Sequence, residues 1–103
     1  YLPPMRLEDL GDRTFTADHG LRYPCVSGAM ANGIGSVEVV TAMARAGMLG
    51  FFGSAGLEVA VVSKAIDRLA GVGPFGVNFI IELTFLGGRE RLSKYPLHSL
   101  ISY

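Results

Sequence analysis

Two glycine-rich apolar runs, Val26-Ser-Gly-Ala-Met-Ala-Asn-Gly-Ile-Gly35 and Ala46-Gly-Met-Leu-Gly-Phe-Phe-Gly-Ser-Ala-Gly56, do most to limit what this chain can fold into. Each reads as a buried strand running into a loop with little side-chain bulk. Parallel α/β proteins bring backbone close to a ligand at such strand ends, because glycine puts no Cβ in the way. A third run, Pro74-Phe-Gly-Val-Asn-Phe-Ile80, repeats the pattern.

The segments between the runs read as helices. Ser36 is placed to cap a helix over 36–46, with Glu38 in its first turn and Arg45 in its last, both favourable to the helix dipole. Gly47 suits the left-handed position just past its end. Val37, Val40, Met43 and Ala44 share one face at helical spacing. A second helix is expected over 57–70, with Val61, Val62, Ala65, Ile66 and Leu69 as its buried stripe and Gly71 closing it. Strands are expected at 23–30, where Pro24 sits at the start and costs no ladder donor, at 48–53 and at 75–80. The order β-α-β-α-β with short connections marks an α/β chain with a parallel sheet or barrel.

The flanks differ. Residues 1–21 are polar and irregular, with Pro3-Pro4 and the charged turn Glu8 to Arg13, and read as a lead-in segment. Over 81–103, Gly87-Gly88 breaks any extension of the third strand. Arg89 to Lys94 makes at most one helical turn before Pro96, and the pattern runs out near residue 81. A chain beginning with Tyr1 rather than methionine is expected to be a piece of something longer.

With 103 residues the chain supports one domain with a modest core. Half of it is apolar and 17% charged, which suits a buried sheet. Nine basic residues balance nine acidic ones, which argues against a nucleic-acid partner. The longest uncharged stretch, Tyr23–Val37, is 15 residues, short of the about 20 that a membrane span needs. Arg6, Glu8, Asp9, Asp12 and Arg13 interrupt any signal sequence, so a cytoplasmic location is expected. Cys25, the single cysteine, rules out an internal disulfide and reads as a buried, inert thiol. His19 and His98 have no second ligand at metal spacing, so both read as surface residues and no metal site is expected.

Two phosphate-binding motifs fail on inspection. Gly28 to Gly33 has the glycine spacing of a P-loop, but Ile34 stands where the phosphate-reaching lysine belongs. Gly33-Ile-Gly35 begins a dinucleotide fingerprint, but Glu38 replaces its third glycine and no carboxylate ends the second strand to take a ribose. Two readings of the glycines remain on physics alone. They mark the functional face of a parallel sheet, or they only permit tight strand-to-helix turns.

Gly28-Ala-Met-Ala-Asn-Gly-Ile34, Ala42-Met-Ala-Arg-Ala-Gly-Met-Leu-Gly-Phe-Phe-Gly53 and Pro74-Phe-Gly-Val-Asn78 together resemble the PfaD-type enoyl reductases of polyunsaturated fatty acid and polyketide synthases. These sit within the wider nitronate monooxygenase (nitropropane dioxygenase) family of flavin proteins. Leu10-Gly-Asp-Arg13 and His19-Gly-Leu-Arg-Tyr-Pro24 resemble the narrower group. The resemblance covers about residues 2–80. It implies that 22–80 is the N-terminal, incomplete part of a TIM (β/α)8 barrel that holds FMN at its C-terminal face; a full barrel takes about 250 residues.

The resemblance also implies roles. Ala29, Met30 and Ala31 would lie against the flavin after strand one, and Asn78 would contact the FMN at the end of strand three. A thioether is a soft surface beside a flat ring, and an amide both donates and accepts. The implied reaction takes hydride from NAD(P)H through FMN to an enoyl thioester on an acyl carrier protein; oxidation of a small nitronate is the alternative. Helix two departs from the family in having Glu58-Val59 in place of a Ser-Pro start, and 81–103 has no likeness to it. The phosphate-gripping loops of later strands and the family's downstream catalytic region lie outside the chain, so no catalytic residue is assigned. A truncated polypeptide that only packs or associates through open sheet edges is the reading of another class, and without the phosphate site and the catalytic region this chain alone is expected to have no independent activity.

Overall fold

Ser36 starts the first long helix as its position predicts. Its hydroxyl accepts from the Val39 N–H at 3.2 Å, and the helix runs Val37–Arg45. It ends in a Schellman motif: Met48 N–H bonds back to the Met43 carbonyl at 2.9 Å and Gly47 N–H to that of Ala44 at 3.0 Å, with Gly47 at φ +78°. The computed structural model describes residues 1–72, 77–82, 88–91, 93–94 and 96–102, in two units, Tyr1–Val72 and Gly73–Tyr103. Three helices lie in the first unit: α1 (Arg13–His19), α2 (Val37–Arg45) and α3 (Val59–Ala70).

The lead-in is more ordered than its composition predicts. A 3-10 turn at Leu7–Asp9 precedes α1, whose N-terminal cap is Asp12, accepting from the Thr14 N–H at 2.9 Å. Local capping thus makes a helix from Thr, Phe, Asp and His, which are mediocre helix formers. The Arg22 and Tyr23 N–H groups both donate to the Gly47 carbonyl, at 2.9 and 3.0 Å, and so tie the end of the lead-in to the end of α2.

The first two expected strands are shorter than 23–30 and 48–53. They meet in one parallel bridge, Val26 with Leu49, through Ser27 N–H to Leu49 O (2.9 Å) and Leu49 N–H to Cys25 O (3.0 Å). Beyond it both chains turn into the glycine loops instead of extending the ladder. Helix α3 begins at Val59 rather than 57, with no side-chain cap from Glu58.

The core of this unit lies between α2 and α3. Val37, Ala65 and Leu69 are buried, and Val40 and Phe52 pack against them. Two residues expected on buried faces, Ala44 and Val61, are exposed, Val61 by 47%. Burial is confined to Val37 at the start of α2 and to Ala65 and Leu69 in the second half of α3.

In the second unit, β1 (Val77–Glu82) pairs in parallel with β2 (Leu97–Ser102), Val77 opposite Leu97 and Asn78 opposite His98. The short helix α4 (Gly88–Arg91) lies between them in sequence. The third strand therefore runs two residues past its expected end, and residues 75–76 of that expectation lie outside the described residues. Strand β2 follows where the sequence pattern was expected to have run out; Leu97-His-Ser-Leu-Ile-Ser102 has no clean alternation to announce it.

Candidate functional site

The two glycine loops clasp each other through their backbones. Asn32 N–H donates to Ala55 O at 2.8 Å, Gly33 N–H to Gly53 O at 2.9 Å, and Gly53 N–H to Gly35 O at 2.8 Å. Within the first loop, Gly35 N–H donates to Met30 O at 3.0 Å and Ile34 N–H to Ala31 O at 3.2 Å. Asn32 (φ +56°) and Gly33 (φ +73°) are the two central residues of that last turn. Two left-handed positions filled by Asn-Gly are the signature of a type I′ turn.

Close packing explains two of the glycines. Gly35 and Gly53 are both buried. A Cβ on Gly53 would fall on the Met30 carbonyl, and one on Gly35 would lie 2.8 Å from Phe51 O and 3.1 Å from Met30 N. Gly28 is the opposite case: nothing lies within 4 Å of its would-be Cβ.

This clasp presents Gly28, Ala29, Met30 and Ala31 on the outside as a shelf of small residues, with Met30 47% exposed. Met30 is thus not a core residue. The structure brings Ala29, Met30 and Ala31 together with the second loop. Asn78 lies on β1 opposite His98, in the other unit. The sequence marked both loops as ligand-facing or turn-forming, but not their backbone contact; matched buried glycines are its signature only once the fold is known.

No charged residue falls in 26–35 or 50–57, so these loops carry no titratable acid or base. What they can do is bind and orient. Ser27 Oγ is buried without a hydrogen-bond partner among the described residues, a polar atom at the foot of the shelf. Cys25 is a free thiol and half-buried rather than buried. His19 is exposed, with its ring tilted by 59° against that of Phe15, centroids 4.9 Å apart. Among the described residues no group of His, Cys, Asp and Glu could hold a metal ion, and no helix is long and apolar enough to cross a membrane. An open glycine and exposed small side chains leave room for a flat, uncharged group to approach the backbone.

No family model matches the chain. It is 42% identical over 82 residues to a polyunsaturated fatty acid synthase component of Thraustochytrium sp., covering 77% of this chain and 4% of that protein. It is 41% identical over 96 residues to polyketide biosynthesis protein ThaF of Burkholderia thailandensis, covering 93% and 8%. That match leaves too few residues outside it to stop at residue 81, so it enters the 81–103 stretch. Among solved structures, the enoyl reductase domain of MlnA, from the macrolactin biosynthesis cluster of Bacillus amyloliquefaciens, is 35% identical with a TM-score of 0.64, covering 85% of this chain and 21% of that one. Adenine phosphoribosyltransferases match too; that of Methanococcus maripaludis is 30% identical over 107 aligned positions, covering 56% of its own length. The chain thus spans a small part of the synthase proteins it resembles.

Proposed function

We propose that this chain, similar to proteins of polyunsaturated fatty acid and polyketide synthase systems and to an enoyl reductase domain, carries three strands of an FMN-holding (β/α)8 barrel. The observation that carries the proposal is the shelf Gly28–Ala31, exposed and built from small side chains, held from behind by the second glycine loop.

If FMN is held there, the chemistry it would supply is hydride transfer, with NAD(P)H as the reductant and the β-carbon of an enoyl thioester on an acyl carrier protein as the acceptor. The chain's own residues bind and orient. The backbone of Ala29 to Ala31 would let a ring come close, and the Met30 thioether would offer it a polarizable surface. The phosphoribosyltransferase likeness finds less support in the site. The name of those relatives implies a phosphate-bearing substrate, and neither loop has a cation to meet one.

The test is to titrate the full chain with FMN and follow flavin fluorescence and absorbance. Flavin binding is the expected result, and bleaching by NAD(P)H would overturn the expectation that this chain alone is inactive. A folded chain with no flavin affinity would overturn the assignment and leave the reading of a noncatalytic polypeptide.

A further inference from the structure

We infer that Gly53 is a positioning residue for the Gly28–Ala31 shelf: the space where its side chain would be holds the carbonyl of Met30. The inference rests on the FMN reading for the purpose of the shelf, but not for the contact itself.

The geometry is specific to this position. The Met30 carbonyl is held from two directions, by the Gly35 N–H at 3.0 Å and by the backbone of Gly53 against it. Gly53 is itself fixed, donating to Gly35 O at 2.8 Å and accepting from Gly33 N–H at 2.9 Å. Gly33, Gly35 and Gly53 therefore form one closed set of backbone bonds with Met30 at its edge. Any side chain at Gly53 moves the Met30 carbonyl, and with it the peptide joining Met30 to Ala31, whose nitrogen lies 3.2 Å from the would-be Cβ. Backbone cannot swing away as a flexible side chain does, so the displacement passes to the shelf. Gly28 gives the internal control, because a methyl there meets nothing.

Amide hydrogen exchange on the whole chain reads the contact without any cofactor. In the unmutated chain the amides of Gly33, Gly35 and Gly53 should share one opening constant, and three separate constants would overturn the inference. In Gly53→Ala the Gly35 and Gly33 amides should exchange about tenfold faster or more while those of α3 keep their rates; in Gly28→Ala none should change. Unchanged Gly35 exchange in Gly53→Ala would also overturn it. If that variant unfolds outright, the shared opening constant of the unmutated chain decides alone. With FMN at saturation, Gly53→Ala should alter the visible absorption band of the bound flavin, whereas mere loss of stability lowers only the bound fraction. An unaltered band on the bound fraction would overturn the positioning role. A chain that shows the exchange pattern yet never binds FMN sinks the cofactor reading and upholds the contact.

Discussion

The Arg68 guanidinium donates through Nη2 to the Glu38 carboxylate at 2.7 Å, joining α3 to the first turn of α2 across 30 residues of sequence. Both side chains are well exposed, so the pair is screened by water and salt and orients the helices more than it stabilises them. The same two helices hold the core made by Val37, Ala65 and Leu69.

That bond predicts a pH dependence. The Arg68 hydrogen bond first, then the Glu38 backbone, the Ser36 hydroxyl and the guanidinium charge hold the Glu38 carboxyl below its ordinary value of 4.5. A carboxyl depressed in the folded state leaves the unfolded chain the better proton binder, so stability rises with pH across this window. The contribution is complete above the ordinary value and is lost as pH falls through the folded one. Glu38→Gln should therefore melt below the unmutated chain near pH 6, with the gap shrinking as pH falls below the ordinary glutamate value and narrowing in about 1 M salt. Thermal melts across that range check it; a gap that ignores pH would show that the pair does not form.

Ser36→Ala should cost about 1 kcal/mol, because the Val39 N–H loses its acceptor at a half-buried helix start. Urea unfolding should show a lower midpoint with the slope unchanged, and Ser36→Asp should recover most of the loss. An alanine variant as stable as the parent would mean that water replaces the cap.

Much of this arrangement was legible in the sequence because it is local. Ser36 and Gly47 act within one turn of the residues they cap, so the limits of α2 could be read closely. The candidate strands could not, since a single bridge at Val26 and Leu49 is all that pairs there. Nor could the uses of the glycines. Gly28 and Gly53 look alike in sequence, yet one faces open space and the other lies against Met30, a difference made by a loop some 20 residues away in the chain. Strand β2 escaped because the polar pair His98-Ser99 and the apolar pair Leu100-Ile101 break its alternation. Asn78 and the shelf residues came from resemblance, which periodicity alone does not supply.

The core makes a sharper prediction than the apolar stripe did. Leu69 is 9% exposed and sits in the buried cluster, whereas Val61, assigned to the same stripe from sequence, is 47% exposed. Leu69→Ala should cost about 2 kcal/mol, the low end for a buried leucine in a core this small. Val61→Ala should stay within about 0.5 kcal/mol. Chemical denaturation of both variants decides it, and equal losses would mean that Val61 is covered in the folded chain.

A last pair of substitutions tests whether glycine near the second strand serves close approach or only flexibility. A Cβ on Gly50 would lie 2.7 Å from the Val40 Cα and 3.3 Å from the Val40 and Met43 Cβ atoms, so α2 rests directly on this backbone. Helix backbone yields only by moving the whole element, and forced overpacking of that kind costs about 1–3 kcal/mol. Gly50→Ala should lose that much and should speed amide exchange along α2. Gly28→Ala, with open space around the new methyl, should change stability by less than about 0.5 kcal/mol. If the two variants lose equally, conformational freedom in the unfolded chain governs both sites, and the helix does not rest where the geometry places it.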